Sequence, residues 1–186
     1  MLNHAAGNYG DAAIAAMSIV NRITMMVMAV VIGLGQGFQP LCGFCYGAGL
    51  IPRLKRAYWF TIALGTVFLV ICTGIGWLIS DHLIGIFRND AEVITIGIVA
   101  LRWQISTLPL NSFIMTSNML TQTCRKPVAA NLLASARSGL FFVPLILLLP
   151  PFFGLMGVEM CQAVSDICSF TLSVPVMAYT LNHLKE

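Results

Sequence analysis

The stretch AYWFTIALGTVFLVICTGIGWLI, from Ala57 to Ile79, contains no charged residue. A helix needs about 20 predominantly apolar residues to cross the hydrocarbon core of a bilayer. The stretch meets that length, and it shows no period-two alternation of the kind found in membrane barrel strands. We therefore predict a membrane-spanning helix over residues 57–79.

The composition of the whole chain supports a membrane protein. Hydrophobic residues make up 58% of the 186 residues and charged residues 9%, with a mean hydropathy of +0.87. Soluble domains carry about 25% charged residues and disordered chains are polar, so both classes are excluded. The net charge of +3 is too small to indicate a nucleic-acid partner, and the bilayer is the expected surrounding.

Four further stretches are long and apolar enough to span a membrane. They cover about residues 11–47, 92–120, 127–149 and 156–180. Pro150 and Pro151 separate the last two, because proline cannot continue a helix. The predicted fold class is all-α, a polytopic membrane helix bundle with about five transmembrane helices.

The basic residues orient these helices, because cytoplasmic loops carry an excess of Lys and Arg. Six of them fall on one side of the predicted topology: Arg53, Lys55, Arg56, Arg125, Lys126 and Lys185. Only Arg88 falls on the other side. We therefore expect the N-terminus outside and the C-terminus in the cytoplasm. Residues 1–10 lack the basic start and apolar core of a signal peptide, and we expect an earlier helix upstream.

Glycine and cysteine motifs within the first span have simple packing interpretations. The pairs Gly33/Gly37 and Gly43/Gly47 match the small-xxx-small spacing of helix contacts better than a phosphate loop, which needs a preceding strand. Cys42 and Cys45 form a CxxC, but no second pair or histidine accompanies them. No metal site, cofactor site or catalytic triad is predicted, so the chain is not expected to be an enzyme.

Charged residues inside the spans are the most informative, because an ionisable group in lipid is costly and usually faces a partner or a wet cavity. Arg137 and Asp166 lie at nearly equal distances from the predicted turn near Phe152, so both should reach the membrane midplane. Arg102 reaches a similar depth. Two interpretations remain open: a structural Arg137–Asp166 pair, or an Asp166 that lines a polar cavity and binds a cation or proton.

Uncharged polar residues and prolines add to the cavity interpretation. Amides and hydroxyls lie on the first and third spans at Gln36, Gln39, Gln104, Asn111, Ser112, Thr116 and Asn118. Prolines 40, 109, 144 and 175 fall within four spans, where each frees backbone carbonyls or marks a kink. Kinked helices with scattered amides suit a transporter with a midplane site.

The segment GQGFQPLCGFCYGAGLIPRLKRA, Gly35 to Ala57, resembles the conserved region of the multidrug and toxic compound extrusion (MATE) family. That region ends a spanning helix with a QP–G–YGA pattern, matched here by Gln39, Pro40, Gly43, Tyr46, Gly47 and Ala48. Residues 8–23 resemble the entry to that helix, and residues 86–93 resemble an outer loop. Residues 135–166 resemble the final hairpin, with matches at Arg137, Pro144, Gly154, Gly157 and Asp166.

The resemblance implies a twelve-helix, two-lobe transporter of which this chain holds helices eight to twelve. It further implies export of cationic or amphipathic small molecules against Na+ or H+ at a bacterial inner membrane, with the N-terminal lobe as partner. Many coupling carboxylates of the family lie on helices outside this sequence. The candidate cavity or coupling residues here are therefore Asp166, Arg137, Arg102, Asn111 and Gln36. The alternatives are a related lipid-linked oligosaccharide flippase, or a truncated remnant or structural subunit without transport activity.

Overall fold

The computed structural model describes residues 11–87, 90–153 and 155–184, without the side chains of 137–138, 149–153, 155 and 158–159. All regular secondary structure in these ranges is helical. The elements are α1 (Asp11–Gly47), α2 (Ile51–Leu78), α3 (Ser80–Phe87), α4 (Ala91–Thr123), α5 (Pro127–Ser135), a π-helical segment (Ala136–Leu140), α6 (Phe142–Phe153) and α7 (Leu155–Asn182). The predicted fold class, an all-helical membrane bundle, is confirmed.

Helix α1 forms because small and apolar residues recur every three to four positions along one face. Its buried stripe comprises Ala13, Ala16, Met17, Ile19, Val20, Ile23, Met28, Val31, Gly35, Phe38, Cys42 and Cys45. The helix has 37 residues, about 55 Å, so it exceeds the roughly 30 Å hydrocarbon core. It ends at Gly47, and the following turn uses Gly49 at φ 71°, a conformation that glycine adopts without strain.

Helix α2 begins at Ile51, six residues earlier than hydropathy alone suggested. Pro52 lies in its first turn, where the missing proline N–H would have no helical partner. The basic residues Arg53, Lys55 and Arg56 therefore belong to the helix and not to a preceding loop. Beyond Leu78, the short helix α3 occupies most of the connection between α2 and α4.

Helix α4 lies at the centre of the bundle. It packs against α1, α2 and α7, and more briefly against α3 and α5. Its N-terminus is capped by Asp90, whose carboxylate accepts a hydrogen bond from the Glu92 amide at 3.2 Å. Because three long helices contact it, α4 contributes many of the buried polar side chains in the described part of the chain.

The fourth predicted span is not one uninterrupted α-helix. Residues 127–153 form α5, the π-helical segment and α6. Pro144 explains the break, because it cannot donate to the Leu140 carbonyl and its ring crowds that carbonyl. The predicted separation of the last two spans at Pro150 and Pro151 is wrong, because the helix continues through both prolines to Phe153 and the next helix begins at Leu155. In the described residues, four helical ranges are long and apolar enough to cross a membrane: Asp11–Gly47, Ile51–Leu78, Ala91–Thr123 and Met160–Asn182.

Two apolar clusters stabilise the bundle, one toward each end. One includes Met17, Val20, Leu69, Ile84, Val93, Leu101, Leu108 and Cys161. The other includes Phe38, Cys42, Leu54, Tyr58, Leu120, Cys124 and Met177. Between them, α4 and α7 bury a set of polar residues that we name the polar layer: Asn111, Ser165, Asp166, Ser169 and Ser173.

Candidate functional site

A buried carboxylate–amide pair occupies the polar layer. The Nδ2 of Asn111 on α4 donates to Oδ2 of Asp166 on α7 at 2.9 Å, and both residues are at most 3% exposed. Asn111 is one of the partners of this carboxylate. An ionisable group held between two spanning helices is by default a candidate for function, because a purely structural contact could be made without a charge.

Several oxygens in the same layer lack hydrogen-bond partners in the described part of the chain. They are Oδ1 of Asn111 and the hydroxyls of Ser165 and Ser169. A buried polar group without a partner costs about 1–3 kcal/mol. Native proteins keep such groups mainly where water, an ion or a moving element satisfies them. The polar layer can therefore accept hydrogen bonds or offer neutral oxygen ligands beside a carboxylate.

The opposite face of α4, toward α2, has its polar groups paired. The Tyr58 hydroxyl and the Ser117 hydroxyl are 2.8 Å apart. Ser112 donates to the Ile62 carbonyl at 3.1 Å. Gly65 makes this approach possible, because a Cβ at that position would overlap the Ser112 hydroxyl.

A further contact between α2 and α4 compensates for a backbone hydrogen bond that α4 lacks at Pro109. Pro109 cannot donate to the carbonyl of Ile105, the residue four positions earlier. The hydroxyl of Thr73 on α2 donates to that carbonyl at 2.9 Å. In a membrane, hydroxyls of neighbouring helices commonly satisfy carbonyls that proline releases. The α2–α4 interface is thus both closely packed and satisfied at these positions.

Arg102 lies away from the carboxylate–amide pair. It precedes Asn111 by nine residues in α4, which is about 13 Å along the helix axis. Its guanidinium donates to the Ser80 hydroxyl at 3.3 Å and lies 5.4 Å from the centre of the Trp77 ring. Its Nε is buried without a partner among the described residues. Arg102 therefore links α4 to the ends of α2 and α3.

The remaining predicted site residues are dispersed. Arg137 falls in the π-helical segment, and its side chain lies outside the described residues, so the proposed Arg137–Asp166 pair stays a prediction. Such π turns occur frequently at functional sites. Gln36 is exposed on the face of α1 opposite its buried stripe. Among the motif residues, Gly154 lies outside the described residues and Gly157 is buried. Gln39 and Gly43 are half-buried, and the others are exposed: Pro40, Tyr46, Gly47 and Pro144.

Of the four glycines in the predicted pairs, Gly43 contacts another helix within the described chain. A Cβ at Gly43 would lie 3.5 Å from the Thr123 side chain, whereas one at Gly33, Gly37 or Gly47 would meet no atom of the described chain within 4 Å. A Cβ at Gly35, outside the predicted pairs, would overlap the Met119 side chain. Cys42 and Cys45 are fully buried, and the described residues contain no group of three or more metal-ligating side chains.

Sequence reasoning missed Ser165 and Ser169. Their positions in the sequence could have indicated them, because Ser165 lies one residue before Asp166 and Ser169 three residues after it on the same helix. Serines in spanning helices usually bond to their own backbone and so carry little information. Ser173 does so, donating to the Ser169 carbonyl at 2.7 Å. The Ser165 and Ser169 hydroxyls have no such hydrogen bond among the described residues. The sequence does not distinguish these two serines from Ser173, whereas the structure does.

The described residues form a bundle of proline-containing spanning helices around a buried polar layer, an arrangement that suits a membrane transporter. The sequence pattern of the MatE family matches residues 1–148, and the chain belongs to this family. It is 25% identical over 182 residues to the multidrug export protein MepA of Staphylococcus saprophyticus. It is also 25% identical over 183 residues to MepA of Staphylococcus aureus. Each alignment covers 97% of this chain and 40% of the relative.

The fold agrees with solved transporters. The crystal structure of the Vibrio cholerae MATE transporter VcmN in the bent form superposes with a TM-score of 0.89 at 18% identity, covering 97% of this chain and 41% of VcmN. The chain therefore spans about two fifths of the length of the proteins it matches. The family match and the fold both support a multi-pass membrane protein.

Proposed function

We propose that this chain is the C-terminal part of a multidrug exporter that expels cationic or amphipathic compounds in exchange for Na+ or H+. The observation that carries the proposal is the buried Asn111–Asp166 pair in a chain of the MatE family. The relatives are named as multidrug export proteins, which favours export over the flippase alternative.

We place the protein in the bacterial inner membrane with its N-terminus outside and its C-terminus in the cytoplasm. The distribution of Lys and Arg supports this orientation. The starts of α2 and α5, with Arg53, Lys55, Arg56, Arg125 and Lys126, then face the cytoplasm. The connection that contains Arg88 faces the outside.

We assign ion coupling to the polar layer. Asp166 can exchange a proton, or a cation can be held by its carboxylate together with neutral oxygens. The unpartnered oxygens of Asn111, Ser165 and Ser169 support this assignment, because hard cations prefer oxygen ligands. A cation or proton at this position changes the charge between α4 and α7, and so can bias their packing.

The substrate is proposed to bind against the exposed face of α1, between this chain and an N-terminal lobe. Gln36 is exposed on that face beside Gly33 and Gly37, which leave its backbone open. In a two-lobe transporter, such a face would line the cavity at the lobe interface. Alternating access would then arise from rocking of one lobe against the other around the bound compound.

The test is drug efflux by the transporter that contains this chain. Right-side-out membrane vesicles or proteoliposomes are loaded with ethidium, and efflux is measured under an imposed Na+ or H+ gradient. Asp166→Asn should reduce gradient-driven efflux roughly tenfold or more. Glu92→Gln, which removes an exposed carboxylate at the start of α4, is the matched control and should retain it. Ion-driven efflux that survives Asp166→Asn would refute the coupling assignment, and absence of efflux in the wild type would refute export.

A further inference from the structure

A second candidate site lies at the end of the bundle, apart from the polar layer. Here α5 and the last turns of α7 enclose a groove of about 600 Å³. Its walls are apolar: Pro127, Val128, Ala129 and Leu132 on one side, and Pro175, Val176 and Tyr179 on the other. Lys126 and Thr180 provide polar groups at one end. The groove therefore combines apolar walls with a cationic group at one end.

The cationic end is built by an unusual turn. Lys126 donates from its backbone to the Thr121 carbonyl at 3.0 Å, which closes the C-terminus of α4, and Arg125 adopts φ 53°. Glycine is the usual residue in this left-handed position of a helix cap. Arg125 is the one residue other than glycine with positive φ in the described ranges. An arginine kept in a conformation that costs about 1 kcal/mol points to a use for its side chain.

The positive charge at this end is available for a ligand. The Lys126 ammonium donates to the Thr180 carbonyl at 3.3 Å, and an ammonium has three N–H donors. In the described ranges, neither Arg125 nor Lys126 forms an ion pair with a carboxylate. The first turn of α5 has no side-chain cap, so its backbone dipoles add to the positive potential.

We propose that this groove binds one anionic phospholipid. The headgroup phosphate contacts Lys126 and Arg125, and an acyl chain lies between Leu132 and Pro175. Charge complementarity at one end and an apolar channel at the other select this ligand over a zwitterionic lipid. Basic pockets between helices on the cytoplasmic side are known to bind acidic headgroups, and the proposed orientation places the groove in that leaflet.

The experiment compares which lipids the purified protein retains from a bilayer of known composition. The purified protein is exchanged into nanodiscs that contain phosphatidylcholine with a minor fraction of phosphatidylglycerol, and native mass spectrometry counts the lipids retained after ejection. The wild type should retain one phosphatidylglycerol in preference to phosphatidylcholine. Lys126→Ala should reduce that preference roughly fivefold, the value expected for loss of one surface cation.

Two further variants separate a bound lipid from a general effect of charge. Leu132→Trp fills the groove at a residue that is 40% exposed and keeps Lys126, and it should reduce retention. Arg53→Ala removes a cation outside the groove and should leave retention unchanged. Equal retention of the two lipids by the wild type, or an equal loss with Arg53→Ala and Lys126→Ala, would overturn the proposal.

A cysteine at Val128, which is 81% exposed at the groove wall, tests whether protein covers the groove instead. Val128→Cys should react with a lipid-soluble maleimide, and added phosphatidylglycerol should slow the reaction. A thiol that does not react in the folded protein would show that a protein segment fills the groove, which would also overturn the proposal.

Discussion

The central helix α4 has two polar interfaces, and their hydrogen bonding differs. Toward α2, Ser112, Ser117 and the Ile105 carbonyl each have a partner. In the polar layer shared with α7, the amide oxygen of Asn111 and the hydroxyl of Ser169 have none among the described residues. A satisfied interface holds one arrangement, whereas a partly satisfied one can gain hydrogen bonds when water or an ion enters. We infer that α2 and α4 form a rigid unit and that the α4–α7 layer carries the ion-dependent change.

The largest expected effect concerns function at the α4–α7 layer. Asp166→Asn keeps the shape of the side chain and can still accept from Asn111, so the protein should fold. Ion-driven ethidium efflux should fall by roughly tenfold or more, which corresponds to about 1.4 kcal/mol. The apparent midpoint of thermal unfolding should change little. A large loss of thermal stability together with normal efflux per folded molecule would assign Asp166 to structure alone.

A variant of Arg137 tests whether Asp166 acts in ion coupling or only in a structural pair with Arg137. If Arg137 and Asp166 form only a structural pair, the double variant Arg137→Gln with Asp166→Asn should recover efflux that Asp166→Asn alone loses. We expect no recovery, because the coupling proposal needs the carboxylate itself. Efflux and expression level are measured for both single variants and the double variant. Recovery to the wild-type rate would contradict the coupling role.

The next effect concerns stability at the α2–α4 interface. Gly65→Val adds a side chain where even a Cβ overlaps the Ser112 hydroxyl, and we expect a loss of about 2 kcal/mol in the free energy of unfolding. Gly74→Val is the matched control, because a Cβ at this glycine of α2 meets nothing within 4 Å. A maleimide dye that reacts as buried Cys42, Cys45 and Cys124 become exposed can report unfolding. Equal stability of the two variants would show that α2 and α4 are not in close contact.

A smaller effect is expected where Thr73 meets the break at Pro109. Thr73→Val leaves the Ile105 carbonyl without its donor and should cost about 1 kcal/mol, whereas Thr73→Ser should cost less. In a Pro109→Ala background the new backbone N–H at position 109 can bond to the Ile105 carbonyl, so Thr73→Val should become nearly neutral. The double-mutant cycle measures this coupling directly. The same cost in both backgrounds would contradict the proposed repair.

The smallest effects compare serines in the two interfaces. Ser112→Ala removes a made hydrogen bond and should cost about 0.6 kcal/mol, the average for such bonds between membrane helices. Ser169→Ala removes an unpartnered hydroxyl and should be neutral or raise stability by up to about 1 kcal/mol. Equilibrium unfolding in mixed micelles compares the two variants. A larger loss for Ser169→Ala than for Ser112→Ala would reverse the assignment of the interfaces.

The helical membrane fold could be predicted because hydropathy and length act on whole segments. The residues at which individual helices begin and end could not be predicted in this way. Arg53, Lys55 and Arg56 lie in α2 because Pro52 starts a helix that charge alone seemed to exclude. Similarly, the break before α6 depends on which carbonyl Pro144 crowds, and hydropathy does not register such local backbone geometry.

The candidate site was predictable in its residues but not in its contacts. Asp166 stood out as a deep charge and Asn111 as a deep amide, because both are costly in lipid. Their pairing depends on the rotation of two helices about their axes, which the chemistry of single residues does not determine. The same rotation decides that Gly35, and not Gly33 or Gly37, faces Met119.

The central claim, that the α4–α7 layer takes up an ion while the α2–α4 interface stays closed, is tested most directly by thiol accessibility. Ser169→Cys and Ser112→Cys are introduced separately into the protein after its six cysteines are replaced. Each is reacted with a small, water-soluble methanethiosulfonate reagent, with and without Na+ and at two pH values. We predict that the thiol at position 169 reacts and is protected by Na+ or by a change of pH, while that at 112 stays unreactive. Equal reactivity at the two positions, or labelling at 169 that neither ion affects, would contradict the account.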